Sequence, residues 1–202
     1  MKKQKVLDAK TYYKAEIKKA LKEVKTKGKR KGQIPNILSA TRLLAPFCII
    51  PAVFLGNIPV AVIFIIFFAI TDIADGLIAR KFNLTTEFGM DLDAASDKVF
   101  ISTLLIAASF MKIIVLINLL LELLIAVINL ALKMGLQNPI TSRLGKVKMW
   151  FLCAMIVCAF LVNLEFMHTL FYIFFAISFI FQIIVVSNYL HNYKAKKRKY
   201  SS

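Results

Sequence analysis

Residues 57–79 read NIPVAVIFIIFFAITDIADGLIA, residues 80–91 read RKFNLTTEFGMD, and residues 92–111 read LDAASDKVFISTLLIAASFM. Two apolar runs are thus joined by a short polar connection. At about 1.5 Å per residue, a helix of roughly 20 residues spans the roughly 30 Å of a hydrocarbon core. Strands would leave backbone N–H and C=O groups unsatisfied in lipid unless they closed into a barrel. The two runs are therefore predicted to be antiparallel membrane helices. Four aspartates stand in this hairpin, Asp72, Asp75, Asp93 and Asp97. A carboxylate is costly at such a depth and is a functional candidate there.

The same pattern recurs outward from the hairpin. Residues 37–55, 113–133, 147–165 and 168–190 form four further apolar segments, each of spanning length. Of the 202 residues 59% are hydrophobic, against about 45–50% in soluble domains, which excludes an ordinary water-soluble protein. The expected fold class is all-α integral membrane, with six transmembrane helices in a domain at 36–191. A basic arm at 1–35 precedes it and a basic tail at 192–202 follows it. Cys48, Cys153 and Cys158 lie in apolar runs, with no CxxC pair and no nearby His, and read as small buried hydrophobes.

The formal net charge of +16 comes from 27 Lys+Arg against 11 Asp+Glu. The arm holds 13 basic and 3 acidic residues, the tail 5 basic and none acidic, and the middle 9 basic and 8 acidic. The basicity therefore flanks hydrophobic runs rather than decorating a polar domain, which speaks against nucleic acid as a partner. In the arm Val6, Ala9, Tyr13, Ile17, Leu21 and Val24 recur at spacings of three and four, with lysines at most other positions. That pattern predicts an amphipathic helix on the cytoplasmic surface, held to anionic lipids and ended by Gly28 and Gly32. Arg80 and Lys81, Arg143 and Lys146, and Lys194 to Lys199 fall on one side of the predicted topology. The opposite connections carry a single lysine, Lys112. Both termini are expected in the cytoplasm. The first 30 residues lack the uninterrupted apolar core of a secretory signal, and a bacterial plasma membrane is the expected location.

Asp72 and Asp75 are an i,i+3 pair, and Asp93 and Asp97 an i,i+4 pair, so each pair shares a helix face. The short connection lets all four carboxylates converge near the cytoplasmic boundary. Four like charges repel unless cations neutralise them, and hard divalent ions bound by oxygen suit such a set. Two of these about 3.5–4 Å apart form a clamp used in phosphoryl displacement. Gly76, Ala79 and Gly89 are small enough to admit a ligand close to the backbone. Arg80, at the water boundary, has the fork that grips a phosphate. Asp91 and Glu87 read as helix-end or solvent-facing acids. Glu122, in the middle of the fourth segment, should face the active-site cavity or pair with a cation.

Together these residues form the string Asp72-x2-Asp75-Gly76-x2-Ala79-Arg80-x8-Gly89-x3-Asp93-x3-Asp97. Eight fixed positions arise by chance in about one window in 10^9 or fewer. The string resembles the signature of the CDP-alcohol phosphotransferases, also called CDP-alcohol phosphatidyltransferases, and the resemblance covers about residues 34–165. It implies two Mg2+ or Mn2+ ions held by Asp72, Asp75, Asp93 and Asp97, with Asp97 also the general base on the acceptor hydroxyl. It implies a CDP-linked donor received by Asp75, Gly76, Ala79, Arg80 and Gly89, and a homodimer.

Within the family, Ile34-Pro35-Asn36-x2-Ser39-x2-Arg42, Asp97-Lys98 and Gly145-Lys146-Val147-Lys148 look like phosphatidylglycerophosphate synthases. Those enzymes use CDP-diacylglycerol and glycerol 3-phosphate and release CMP. A phosphorylated acceptor needs cations, and Ser39, Arg42, Lys98, Arg143, Lys146 and Lys148 are expected to bind its phosphate. The chain departs from that subfamily at Ala94, where Pro is usual, and at Leu121 and Asn129, where Arg is usual. Same-fold alternatives are cardiolipin synthases using phosphatidylglycerol, and inositol-phosphate or serine users. A cation or proton transporter is the alternative outside the class. Transporters usually carry paired repeats with broken helices in corresponding positions, whereas the acids here concentrate in one hairpin.

Overall fold

The computed structural model describes residues 11, 13–20, 22, 33–82, 86–134, 143–161 and 165–199, and every regular element among them is a helix. Among the described residues four stretches are long and apolar enough to cross a membrane: Ile34–Phe54, Ile58–Lys81, Phe88–Met111 and Phe166–His191. The chain is thus an all-helical integral membrane protein. Two further apolar helices, Val115–Leu130 and Val147–Phe160, are shorter. Among the described residues, four of the six expected segments meet the length of a span. The chain forms two compact units, Met1–Ile101 and Ser102–Ser202.

In the first unit residues 13–20 are helical; Val6, Ala9, Leu21, Val24, Gly28 and Gly32 lie outside the described residues. Helix α1 is Ile34–Thr41, followed by a 3-10 turn Arg42–Leu44 and helix α2, Ala45–Phe54. Proline explains the interruption. Pro46 has no N–H to give the Arg42 carbonyl, and the Ala45 N–H bonds that carbonyl instead. An i→i+3 bond replaces an i→i+4 bond, and the helix tightens for one turn. The interruption falls on Arg42, whose side chain leaves the helix at this turn.

Gly56, at φ 73°, makes the turn out of α2, a conformation that glycine adopts without a Cβ clash. Helix α3, Ile58–Lys81, starts at Asn57, whose side chain accepts from the Val60 N–H at 3.4 Å. Ala61, Phe68, Thr71 and Asp75 form its buried stripe, while Ile63, Ile66, Phe67, Ile70, Ile73 and Leu77 are exposed. α1 and α2 both pack against α3. Helix α4, Glu87–Met111, follows after a short connection and continues past Ile101 into the second unit. Phe68 meets Phe100 at 6.3 Å between ring centroids. Asp75 and Asp93 both reach Arg42 nearer the connection. The partner numbers run in opposite directions, so the hairpin is antiparallel as predicted.

The second unit contains α5, Val115–Met134, α6, Arg143–Phe160, and α7, Glu165–Lys199. No Gly or Pro interrupts α7. It runs 35 residues, about 52 Å, and Lys194 to Lys199 are its last turns. Ile125 and Ile128 of α5 form a core with Val185 and Tyr189 of α7. Phe151 of α6 stacks on Phe181 of α7 at 5.6 Å. Cys158 is buried and Cys48 half-buried, but Cys153 is exposed, a correction to the buried reading. In a membrane helix the outward face is as apolar as the inward one, so apolar neighbours do not imply burial.

Glu122 of α5 is buried and accepts a hydrogen bond from the ammonium of buried Lys148 on α6. Of the two expectations for Glu122, the active-site cavity or a cation partner, the structure shows the second contact, with Lys148. Gln182 Nε2 donates to the Asn118 carbonyl at 3.3 Å, and Asn118 Nδ2 to Met155 Sδ at 3.1 Å. Removing one partner of a buried ion pair costs about 3–5 kcal/mol, whereas replacing both is often near neutral. Lys148→Met is therefore expected to destabilise the protein by about that amount, and E122Q/K148M to recover more than half of the loss. Thermal melting in detergent micelles measures both; equal melting temperatures for K148M and wild type would refute the pair's structural role.

Candidate functional site

The site is built within the first unit, where the interrupted helix α1–α2 meets the α3–α4 hairpin. Arg42 projects from the 3-10 turn and is completely buried. A buried guanidinium needs anionic partners, and it has four. Nη1 donates to Asp72 and to Asp97. Nη2 donates to Asp75 at 2.7 Å and to Asp93 at 2.5 Å. Ser39, one turn before Arg42 on α1, donates its hydroxyl to the same Asp75 oxygen at 2.7 Å. One residue pair of α1 and the turn thus gathers carboxylates from two other helices.

The four aspartates are not equivalent. The Asp75 side chain is 5% exposed, whereas those of Asp72, Asp93 and Asp97 are 47%, 47% and 48% exposed. Asp75 closes the inner end of the cluster, and the other three face an opening. One guanidinium against four carboxylates leaves up to three negative charges uncompensated. Asp72, Asp75 and Asp93 each offer an oxygen, all within 4.8 Å of one another. An all-oxygen set of this charge fits a hard divalent cation.

In front of the cluster lies a cavity of about 350 Å³, lined by Pro35, Asn36, Ser39, Asp72, Asp75, Gly76, Ala79, Arg80, Thr86, Gly89, Met90, Asp93 and Asp97. All eight positions of the sequence string are among them. Of the two glycines, local space requires only Gly89. Arg80 folds back along α3, its Nε donating to the Gly76 carbonyl at 3.0 Å. A Cβ on Gly76 would meet Arg80 Nη2 at 3.6 Å, so that position tolerates a methyl group. A Cβ on Gly89 would meet Asn36 Oδ1 at 2.6 Å and Thr86 Oγ1 at 3.0 Å, so Gly89 makes room for the Asn36 amide. Thr86 accepts from the Gly89 N–H at 3.0 Å, capping the start of α4.

The remaining expected residues fall elsewhere. Lys98 lies beside Asp97 on α4, half-buried, and is not among the described residues lining the cavity. Lys148 belongs to the second unit and is held by Glu122 there. Arg143 and Lys146 start α6, and their side chains lie outside the described residues. Asp91 is half-buried and accepts a hydrogen bond from the Tyr13 hydroxyl. Pro35, Asn36, Thr86 and Met90 were not singled out as site residues from the sequence. Asn36 stood within a quoted motif, and Thr86 carries the signal of a residue that caps a helix.

A sequence profile described as CDP-alcohol phosphatidyltransferase matches residues 32–186 of this chain. The chain belongs to the CDP-alcohol phosphatidyltransferase family. Over 77 residues it is 36% identical to a CDP-diacylglycerol–glycerol-3-phosphate 3-phosphatidyltransferase of Aquifex aeolicus, a match covering 38% of this chain and 43% of that protein. A protein of the same name from Rickettsia bellii is 38% identical over 77 residues, covering 36% and 42%. A CDP-diacylglycerol–inositol 3-phosphatidyltransferase of Arabidopsis thaliana is 37% identical over 76 residues, covering 38% and 33%. The chain thus spans less than half the length of the curated relatives it matches.

Ser39 tests the inner end of the cluster. Ser39→Ala removes a hydroxyl donor from a buried carboxylate and is expected to cost about 1–3 kcal/mol. At about 2–4 °C per kcal/mol for a chain of this size, that is a readily measured fall in melting temperature. Ser39→Thr keeps the hydroxyl and is expected to melt within about 1 kcal/mol of wild type. Equal losses for the two variants would mean that the hydroxyl does not support Asp75.

Proposed function

We propose that this chain transfers a phosphatidyl group from CDP-diacylglycerol to glycerol 3-phosphate and releases CMP. The observation that carries the reading is the convergence of all eight signature positions on one cavity of about 350 Å³, within the 300–1,000 Å³ typical of ligand sites. In this reading Asp72, Asp75, Asp93 and Asp97 hold two Mg2+ or Mn2+ ions, which when bound neutralise the donor's diphosphate. Asp75, Gly76, Ala79 and Gly89 receive the cytidine diphosphate close to the backbone, and Arg80 grips a phosphate oxygen. Asp97 takes the proton of the acceptor hydroxyl. The alcohol oxygen then bonds to the phosphatidyl phosphorus, the bond from that phosphorus to the CMP oxygen breaks, and CMP leaves with the electron pair. Lys98, next to Asp97, supplies charge for the acceptor's phosphate. Ser39 acts on the acceptor side through the Asp75 carboxylate it holds, and Arg42, with the cations bound, supplies charge for the acceptor's phosphate.

The topology proposed with this activity has six membrane segments in residues 36–191. It places both termini and the cavity in the cytoplasm of a bacterial cell, and the protein as a homodimer. The basic arm at 1–35 lies along the anionic membrane face, and the tail at 192–202 emerges on the same side. Positive charge at Arg80, Lys81 and Lys194 to Lys199 supports that orientation. Inositol as acceptor is the second reading, favoured by the similarity to the Arabidopsis protein.

The deciding assay gives purified protein CDP-diacylglycerol and Mg2+ with glycerol 3-phosphate, inositol, inositol phosphate, serine or phosphatidylglycerol, and measures CMP release. Glycerol 3-phosphate is expected to give the fastest release. Release with inositol alone would move the acceptor assignment, and none with any acceptor would overturn the transferase reading. Asp97→Asn is expected to lower turnover by at least about 10²–10⁴-fold, the usual contribution of a general base, while still binding the donor. Normal turnover in that variant would remove Asp97 from the base's role.

A further inference from the structure

We propose that Arg42 is an internal counter-ion that fills the carboxylate cluster in the metal-free protein and is displaced from it as divalent cations bind. The inference rests on the reading of these carboxylates as a cation site, and it adds what this chain does when the cations are absent. Arg42 bonds all four carboxylates at once, two through each Nη. The three that offer converging oxygens, Asp72, Asp75 and Asp93, are among its partners. A divalent cation has oxygen ligands at about 2.0–2.6 Å, and could not draw in these carboxylates while the guanidinium stands among them. Arg42 and the cation therefore compete for one position.

Two further observations favour release. Arg42 Nε is buried and has no hydrogen-bond partner among the described residues, so the guanidinium is held by its two Nη groups alone. Its backbone opens the 3-10 turn that Pro46 imposes, and such a mid-helix turn is where a helix commonly hinges. A single positive charge also underfills a site of four carboxylates. It suffices to keep the helices together and leaves the cluster attractive to cations of higher charge.

The test uses full-length protein in detergent micelles, wild type, Arg42→Gln and Arg42→Lys, prepared in Mn2+ and stripped with EDTA. Mn2+ binding is followed by electron paramagnetic resonance, and melting is measured in EDTA and at saturating Mn2+. R42Q is expected to bind Mn2+ at least tenfold more tightly than wild type. Its melting temperature is expected to fall by about 5 °C or more in EDTA and to return to the wild-type value at saturating Mn2+. R42K, with the charge but not the fork, is expected to lie between them in both measurements. Unchanged or weaker Mn2+ binding by R42Q overturns the proposal, as does a melting deficit that persists at saturation, because Arg42 is then a fixed partner in both states. Absence of Mn2+ binding by all three proteins overturns the cation reading as well. Failure of the CMP-release assay with Mn2+ binding intact would leave this proposal standing and remove only the transferase reading.

Discussion

A charge removed from water must be met by an opposite charge at hydrogen-bonding distance, and the first unit is arranged around one such requirement. Arg42 is completely buried, and its guanidinium takes a carboxylate from each of four positions on two helices. Because Asp72 and Asp75 stand three residues apart and Asp93 and Asp97 four, each helix presents two carboxylates on one face. The register of α3 against α4, and of both against the turn after α1, follows from satisfying that single group. The second unit applies the same rule on a smaller scale, with Lys148 opposite Glu122. Packing of apolar side chains alone would specify these registers less sharply. In a membrane the hydrophobic effect does not distinguish the interior of a helix group from lipid, and packing and polar contacts decide instead.

The eight residues of the Asp72–Asp97 string have separate physical tasks that meet in one place. Carboxylates supply the negative wall, with Asp75 anchored inside by Ser39 and Arg42 and the other three half in water. Gly76 offers the carbonyl on which Arg80 is oriented. Gly89 is small because the Asn36 amide crosses directly in front of its Cα. The cavity is thus polar on one side, small-residue on another and open, which suits a charged, flat head group entering beside a negatively charged wall that cations can neutralise.

Much of this was legible in the sequence. The hairpin, its antiparallel sense, the four aspartates and the small residues beside them follow from hydropathy, spacing and the cost of a buried carboxylate. For Glu122 the burial cost pointed to the cavity or to a cation, without choosing between them. Other features were not legible. Arg42 and Lys148 are expected from the sequence to bind an incoming phosphate, and each also stands on a carboxylate of its own unit, a pairing that no local pattern encodes. Cys153 sits among apolar residues and is exposed, since hydropathy does not say which face of a membrane helix points outward. Asp91 has a partner in Tyr13, 78 residues away in sequence, and no local pattern encodes that contact.

The sequence by itself determined that this is an all-helical membrane chain with two acidic pairs facing one another across a hairpin. Helical periodicity is local, and the cost of leaving backbone groups unbonded in lipid admits little else. Only the tertiary structure decided which cation stands among those acids and which serves Glu122. It also decided which small residue makes room for which neighbour. Those choices depend on distances of a few ångströms between groups far apart in the chain, and Coulomb attraction and hydrogen bonding select among several cations that sequence position leaves equivalent.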